Sequence, residues 1–196
     1  MGTARLETFS DGVFAIAATL LVLDVRAEGP GLGHELVHIW PSYFAYATSF
    51  LTIGIMWVNH HTVFEQIARC DRTFLFISVG FLMLVAFVPF PTRLVAEQLR
   101  GDDTRAAALA YGITLTATAF FYSALWFYAA VGRRLLDEDA DQRVVSGISR
   151  SYLPGPWIYL AATLVAFVSP KTSIALFGAI ALFYMLESSL FAREET

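Results

Sequence analysis

The 196-residue chain has little charge, since Asp, Glu, Lys and Arg make up only 15% of it. A soluble domain carries roughly 25% charged residues. Hydrophobic residues make up 57% of the chain and the mean hydropathy is +0.59, so an ordinary soluble enzyme is excluded. Membrane spans take about 20 residues each. Six spans with short loops would account for nearly all of residues 1–196 as a single domain.

Cysteine and lysine are almost missing, with one residue of each type. Cys70 alone can form neither an internal disulfide nor a cysteine zinc cage. Lys171 is the single lysine and the net charge is −4, so there is no clustered basic patch for a nucleic-acid partner. The chain also lacks a Walker loop, a G-x-S-x-G elbow and a T-V-G-Y-G carbonyl filter. We therefore expect neither an enzyme nor a cofactor.

Uncharged segments bounded by charged residues predict the membrane helices. Helix one is predicted over residues 5–25, because its uncharged run, residues 12–23, is too short to cross ~30 Å of lipid. Ser10 and Asp11 must then be covered by protein rather than lipid, which places helix one centrally. The other five helices are expected at residues 36–64, 73–92, 106–132, 151–170 and 172–186, the last continuing to Arg193.

Basic residues in the loops predict the orientation. Arginine is more frequent in the loops on the side that carries both termini. By the positive-inside rule, both termini are expected in the cytoplasm of a multi-pass cell-membrane protein. The charged loop at residues 133–150 would then be a solvated cytoplasmic linker. Gly29, Pro30, Gly31 and Gly33 mark the first extracytoplasmic turn.

Helical phase separates two faces of helix one. At about 100° per residue, Ile16, Thr19, Leu20 and Leu23 share one stripe, whereas Asp11 lies on the far side. Two interpretations remain open. The stripe could pack against a neighbouring helix, or it could face a symmetry axis while the carboxylate holds the helix in place.

Two adjacent histidines, His60 and His61, lie near the end of the second predicted helix. Neighbouring helical residues point about 100° apart, so these two are not expected to form a metal site, and no other metal site is expected. A buried carboxylate needs partners, so we expect a hydrogen bond from one histidine to Asp11 or Ser10. The alternative is a proton relay through Asp11 and the histidines, which would make the chain a proton-conducting or proton-coupled transporter.

The start of helix one carries the specific signature Arg-x-x-x-Phe-Ser-Asp, formed by Arg5, Phe9, Ser10 and Asp11. Two further motifs agree with it, W-V-N-H-H at residues 57–61 and P-F-P-T at residues 89–92. In these motifs the chain resembles the transmembrane protein 175 family, the endolysosomal potassium channels and their bacterial relatives. The resemblance covers essentially the whole chain.

The resemblance implies an all-α membrane protein with six helices per chain, assembled as a homotetramer around a central pore lined by helix one. The apolar constriction of such pores corresponds here to Ile16, Leu20 and Leu23, and a hydroxyl layer to Thr19. The implied function is passive, weakly selective conduction of K⁺ without a P-loop filter. The expected partners are other copies of the chain and membrane lipid.

The resemblance also implies a polar network that holds helix one against helices two and three. Its members here are Arg5, Phe9, Ser10, Asp11, Trp57, His60 and Asp71. Asp71 departs from the family pattern, since Asn is expected at the start of helix three. Whether Asp71 joins the network is open, and the extra carboxylate could alter the response to pH.

Overall fold

The computed structural model describes the backbone of residues 2–26 and 32–191, with the side chains of residues 2–26 and 33–186. Within these ranges the chain is helical, and an isolated bridge joins Ile67 and Leu136. In the predicted turn, Gly29, Pro30 and Gly31 lie outside the described residues, and so does Arg193 at the predicted end of helix six. Gly33, the fourth residue of that predicted turn, lies instead in the helix Leu32–His38.

The described residues form nine α-helices and two short 3-10 helices. The 3-10 helices are Leu21–Asp24, which continues α1, and Val131–Arg133, which continues α6. The α-helices are α1 Ala4–Leu20, α2 Leu32–His38, α3 Trp40–Glu65, α4 Arg72–Phe87, α5 Pro89–Gln98, α6 Thr104–Ala130, α7 Gln142–Tyr152, α8 Gly155–Val165 and α9 Pro170–Phe191.

Prolines interrupt two helices that the sequence predicts as continuous. The predicted helix at residues 36–64 is divided at Ile39 into α2 and α3, because Pro41 occupies the first turn of α3. The predicted helix at residues 73–92 is divided at Val88 into α4 and α5 and extends to Gln98. Pro89 has no amide hydrogen, so a helical hydrogen bond is missing at this point.

The predicted linker and the predicted fifth helix are both wrong in detail. The segment at residues 133–150 includes most of α7, which packs on α6 through Val145 and a hydrogen bond of 2.9 Å from Trp126 Nε1 to Ser149 Oγ. The fifth predicted helix begins later, at Gly155, because Pro154 separates α7 from α8. Arg143 and Arg150 point to the exposed side of α7, so this helix is amphipathic rather than an extended linker.

Three stretches of the described chain are long and apolar enough to cross a membrane, namely Ala4–Asp24, Arg72–Gln98 and Thr104–Arg133. Pro170–Leu186 in α9 is a shorter apolar helix. The apolar helices identify a membrane protein, and the number of six spans stays a prediction.

Helix α6 lies at the centre of the packing, in contact with α4, α5, α8 and α9. Gly112 permits a close approach there, because a Cβ atom at this position would lie 2.6 Å from Thr163 Oγ1. Helix α1 packs against α3 and α4. This position leaves one whole face of α1 uncovered by the described part of the chain.

Candidate functional site

Helix α1 and its 3-10 continuation have one buried face, directed at α3 and α4. Its residues recur every three or four positions, as a helix packed on one side requires. They are Leu6, Ser10, Phe14, Ala17 and Leu21. The hydroxyl of Ser10 donates to the carbonyl oxygen of Leu6 at 2.8 Å, so this buried polar group is satisfied within its own helix.

The opposite face of α1 is an exposed apolar stripe. Ile16 is 62% exposed, Leu20 41% and Leu23 57%. Thr19 is exposed beside them, and its hydroxyl donates to the carbonyl oxygen of Ile16 at 2.9 Å. Within the described residues the stripe does not pack against a neighbouring helix of the chain. In a membrane protein an exposed apolar stripe of this kind is covered either by lipid or by another chain.

The first two signature residues, Arg5 and Phe9, are exposed in the described chain. Phe9 is exposed on the same side as Ile16 and has no aromatic partner among the described residues. Arg5 is exposed, and in the described ranges it forms neither an ion pair nor a hydrogen bond. Both side chains are therefore available to groups outside this chain.

Asp11 lies at the border between the two faces and connects α1 to α3. The indole Nε1 of Trp57 donates to Asp11 Oδ1 at 2.8 Å. A hydrogen bond to a carboxylate is stronger than one between neutral groups. This contact joins Asp11 of the signature to Trp57 of the W-V-N-H-H motif, and it restrains the rotation of α1 about its own axis.

His60 is buried in an aromatic cluster next to α1. It is 3% exposed, stacks on Phe64 with 4.1 Å between ring centroids, and meets Phe14 of α1 edge-on at 5.5 Å. Its Nε2 atom has no hydrogen-bond partner in the described part of the chain. The expected hydrogen bond from His60 to Asp11 or Ser10 is therefore wrong, since α1 presents Phe14 to the imidazole.

His61 points away from His60, as the helical phase predicts. It is exposed, and its Nε2 lies 3.5 Å from Glu65 Oε1 on the same helix. No group of three metal-ligating side chains occurs in the described residues. His60 is thus buried among aromatic rings, whereas the neighbouring His61 is exposed beside Glu65.

Asp71 caps α4 instead of contacting α1. Its Oδ1 accepts from the amide of Phe74 at 2.8 Å, its Oδ2 accepts from the Tyr128 hydroxyl at 2.7 Å, and Arg134 Nε lies 3.7 Å away. The Phe74 amide first, and then the Tyr128 hydroxyl, hold the pKa of Asp71 below its ordinary value. An acidic residue directly before an apolar helix is a recognisable cap signal in the sequence.

Sequence reasoning missed a buried hydroxyl cluster that ties three helices together. Ser49 Oγ of α3 lies 2.8 Å from Thr92 Oγ1 of α5 and 2.9 Å from the Tyr111 hydroxyl of α6. Hydroxyl side chains occur at several positions along these helices, so the sequence offers no sign of which ones meet. The cluster positions the P-F-P-T motif, which ends at Thr92.

Comparison with known sequences identifies the family to which this chain belongs. A sequence model described as the endosomal/lysosomal potassium channel TMEM175 matches residues 5–89, which include the signature, Trp57, His60 and Asp71. A protein from Chamaesiphon minutus named a potassium channel is 44% identical over 193 residues, covering 95% of this chain and 95% of that protein. The chain belongs to the TMEM175 family. The family is one of ion channels, and the chain is not an enzyme.

Other TMEM175 proteins support the same assignment. A Streptomyces collinus protein named a potassium channel is 44% identical over 187 residues, covering 93% of this chain and 91% of that protein. The crystal structure of a lysosomal potassium-selective channel TMEM175 homologue from Chamaesiphon minutus has a TM-score of 0.86 and 41% identity, covering 95% of this chain and 97% of that one.

A vertebrate TMEM175 relative carries a different functional name. The protein from Gallus gallus is named an endosomal/lysosomal proton channel and is 32% identical over 143 residues, covering 66% of this chain but only 28% of that protein. The family therefore includes members named for K⁺ and members named for protons.

Proposed function

We propose that the chain is a potassium channel of the cell membrane, in which α1 of each copy in a homotetramer lines a central pore. The observation that carries the proposal is the exposed stripe of Ile16, Leu20 and Leu23 on a helix whose opposite face is buried. One copy of a helix cannot enclose a pore. Several copies of α1 around an axis cover the stripe and form an apolar neck.

The neck controls conduction through hydration. A hydrated cation crosses an apolar constriction only after losing water or after the constriction widens and wets. K⁺ holds its water less tightly than Na⁺, so such a neck favours K⁺ modestly. The Thr19 hydroxyl donates its proton to the Ile16 carbonyl, and a hydroxyl oxygen retains accepting lone pairs. Those lone pairs replace part of the water that the ion loses.

Asp11 and Trp57 serve conduction indirectly. Their hydrogen bond holds α1 on α3, and a rotation of α1 by one residue would turn Ile16 away from the axis.

The membrane orientation follows from the arginine distribution, with both termini in the cytoplasm.

A matched pair of isoleucines tests the proposal. Ile16 on α1 is 62% exposed, and Ile113 on α6 is 60% exposed on another helix. The Ile16→Asn variant, reconstituted in liposomes, is expected to show a higher K⁺ leak and a smaller preference for K⁺ over Na⁺. The Ile113→Asn variant should behave like the wild type. Unchanged flux in Ile16→Asn, or the same change in both variants, would contradict a pore lined by α1.

Proton conduction is the second candidate function. Two observations favour it, namely the proton-channel name of the Gallus gallus relative and the unpartnered Nε2 of buried His60 beside α1. A relay would use Asp11, His60 and His61. Proton flux into liposomes under a pH gradient should then fall in His60→Ala and persist in a wild type without K⁺. Proton flux that is missing, or the same in His60→Ala and wild type, would exclude the relay.

A further inference from the structure

A second pair of histidines lies on α2, the short helix that follows α1 and precedes α3 along the chain. His34 and His38 are four residues apart, and Glu35 follows the first, so residues 34–38 read H-E-L-V-H. This spacing directs two imidazoles to one helical face and is the spacing by which helices bind zinc. The rings are in fact neighbours, with centroids 5.9 Å apart and planes 17° from parallel. The prediction that the chain has no metal site overlooked this pattern.

The surroundings define what kind of site the pair can form. Both imidazoles are exposed, and the described residues provide no third His, Cys, Asp or Glu to complete a group of three. A metal held here would have two nitrogen ligands and water in its remaining positions. Zn²⁺ and the similar divalent transition metals suit imidazole ligands, whereas Mg²⁺ and Ca²⁺ prefer oxygen. The open coordination indicates reversible binding rather than a structural metal.

Arg100, just beyond the end of α5, contacts the same histidine. Its Nη1 lies 3.3 Å from His38 Nδ1 and 3.4 Å from the His38 carbonyl oxygen, and its guanidinium lies over the Trp40 ring at 5.2 Å. Arginine only donates, so His38 Nδ1 must accept and Nε2 must carry the proton. A metal needs an unprotonated ring nitrogen. It therefore binds His38 only when the hydrogen bond from Arg100 is broken.

We propose that His34 and His38 form a reversible binding site for one divalent transition-metal ion, and that Arg100 competes with the metal for His38. Binding replaces a contact between α2 and the end of α5 by a link within α2. Arg100 keeps its position over Trp40 as the metal arrives. Metal occupancy therefore changes how α2 is attached to the bundle, at a place distinct from the apolar stripe of α1.

The test is Zn²⁺ binding to the purified full chain without a polyhistidine tag, measured by titration calorimetry and by competition with a colorimetric chelator. The wild type should bind Zn²⁺ saturably, one ion per chain. His34→Ala and His38→Ala should each weaken binding by about tenfold or more, since even outer contacts to a metal site change affinity 10- to 100-fold. His61→Ala is the matched control, because His61 is also exposed but pairs with Glu65.

A substitution of Arg100 tests whether this arginine competes with the metal for His38. Arg100→Gln should tighten Zn²⁺ binding by about two- to tenfold, the value of one net hydrogen bond. Mg²⁺ should not displace the Zn²⁺. Wild-type protein without saturable Zn²⁺ binding, or equal binding in the wild type and His34→Ala, overturns the site. Weaker binding in Arg100→Gln overturns the competition. Loss of binding in His61→Ala would place the metal elsewhere.

Discussion

The carboxylate of Asp11 and the indole of Trp57 form the polar contact that joins α1 to α3 at the signature. Replacing Trp57 by Phe removes the donor and leaves Asp11 without this partner. We expect the melting temperature to fall modestly, because an intramolecular hydrogen bond contributes about 1 kcal/mol to stability.

Trp157 on α8 provides the control for this prediction. It is exposed and packs edge-on against Phe120, so Trp157→Phe removes the same indole without a carboxylate partner. Thermal unfolding in detergent, followed by tryptophan fluorescence, compares the variants. Equal melting temperatures for Trp57→Phe and Trp157→Phe would mean that the contact to Asp11 does not stabilise α1.

The lowered pKa of the Asp71 carboxyl predicts how stability depends on pH. The amide of Phe74 and the Tyr128 hydroxyl lower the pKa of its carboxyl in the folded chain. A group with a lowered folded pKa stabilises the fold above its unfolded pKa, about 3.9 for Asp, and loses this effect as the pH falls through the folded pKa. Wild type should therefore melt above Asp71→Asn at neutral pH, and the difference should shrink in acid. A difference that is constant with pH would contradict this assignment.

At the residue scale the sequence predicts the direction of a side chain better than its partner. The phase of helix one separates Ile16 from Asp11, and the structure has Ile16 exposed and Asp11 at the border of the buried face. The partner of His60 was predicted wrongly, because the sequence does not say which residue of α1 faces it. That residue is Phe14, one helical turn beyond the expected Ser10.

At the scale of the helices, the close approach of α6 and α8 depends on Gly112. A Cβ there would meet Thr163 Oγ1 at 2.6 Å and Phe177 Cζ at 3.0 Å. Thr163 cannot move easily, since its hydroxyl donates to the Tyr159 carbonyl and lies 3.0 Å from Thr116 Oγ1. Gly112→Ala should destabilise the protein by about 1–3 kcal/mol, the usual cost of overpacking.

Gly147 on α7 is the matched control for Gly112, because a Cβ at this position meets nothing within 4 Å. Gly147→Ala should leave stability unchanged or raise it slightly through helix propensity. Thermal unfolding of the two variants checks the difference. If Gly112→Ala were as stable as Gly147→Ala, α6 and α8 would have room to separate.

Hydropathy predicted the uninterrupted helices well and the interrupted ones poorly. Helices α6 and α9 follow the predicted uncharged segments closely, since an apolar environment selects their composition. Hydropathy does not register the missing amide hydrogens of Pro41 and Pro89, which divide two predicted helices. Hydropathy also fails to predict α7, because this helix carries many polar residues. A search for hydrophobic residues that recur every 3.6 positions would detect it.

At the scale of the whole molecule, the exposed stripe on α1 supports the proposed assembly of several copies of the chain. A monomer leaves Ile16, Leu20 and Leu23 exposed next to a helix face that is fully packed. Lipid would cover these side chains in a monomer, whereas in the proposed assembly they face other copies of α1. Relatives named potassium channels agree with a channel function.

Thiol accessibility tests this arrangement most directly. The chain has one cysteine, buried Cys70, so Thr19→Cys in a Cys70→Ser background presents a single reactive thiol on α1. Addition of a charged methanethiosulfonate reagent to a reconstituted bilayer should reduce the K⁺ current of this variant, because the new group obstructs the pore. Ile113→Cys in the same background should be unaffected. A K⁺ current that persists unchanged after confirmed modification of the Thr19→Cys thiol would contradict a pore lined by α1.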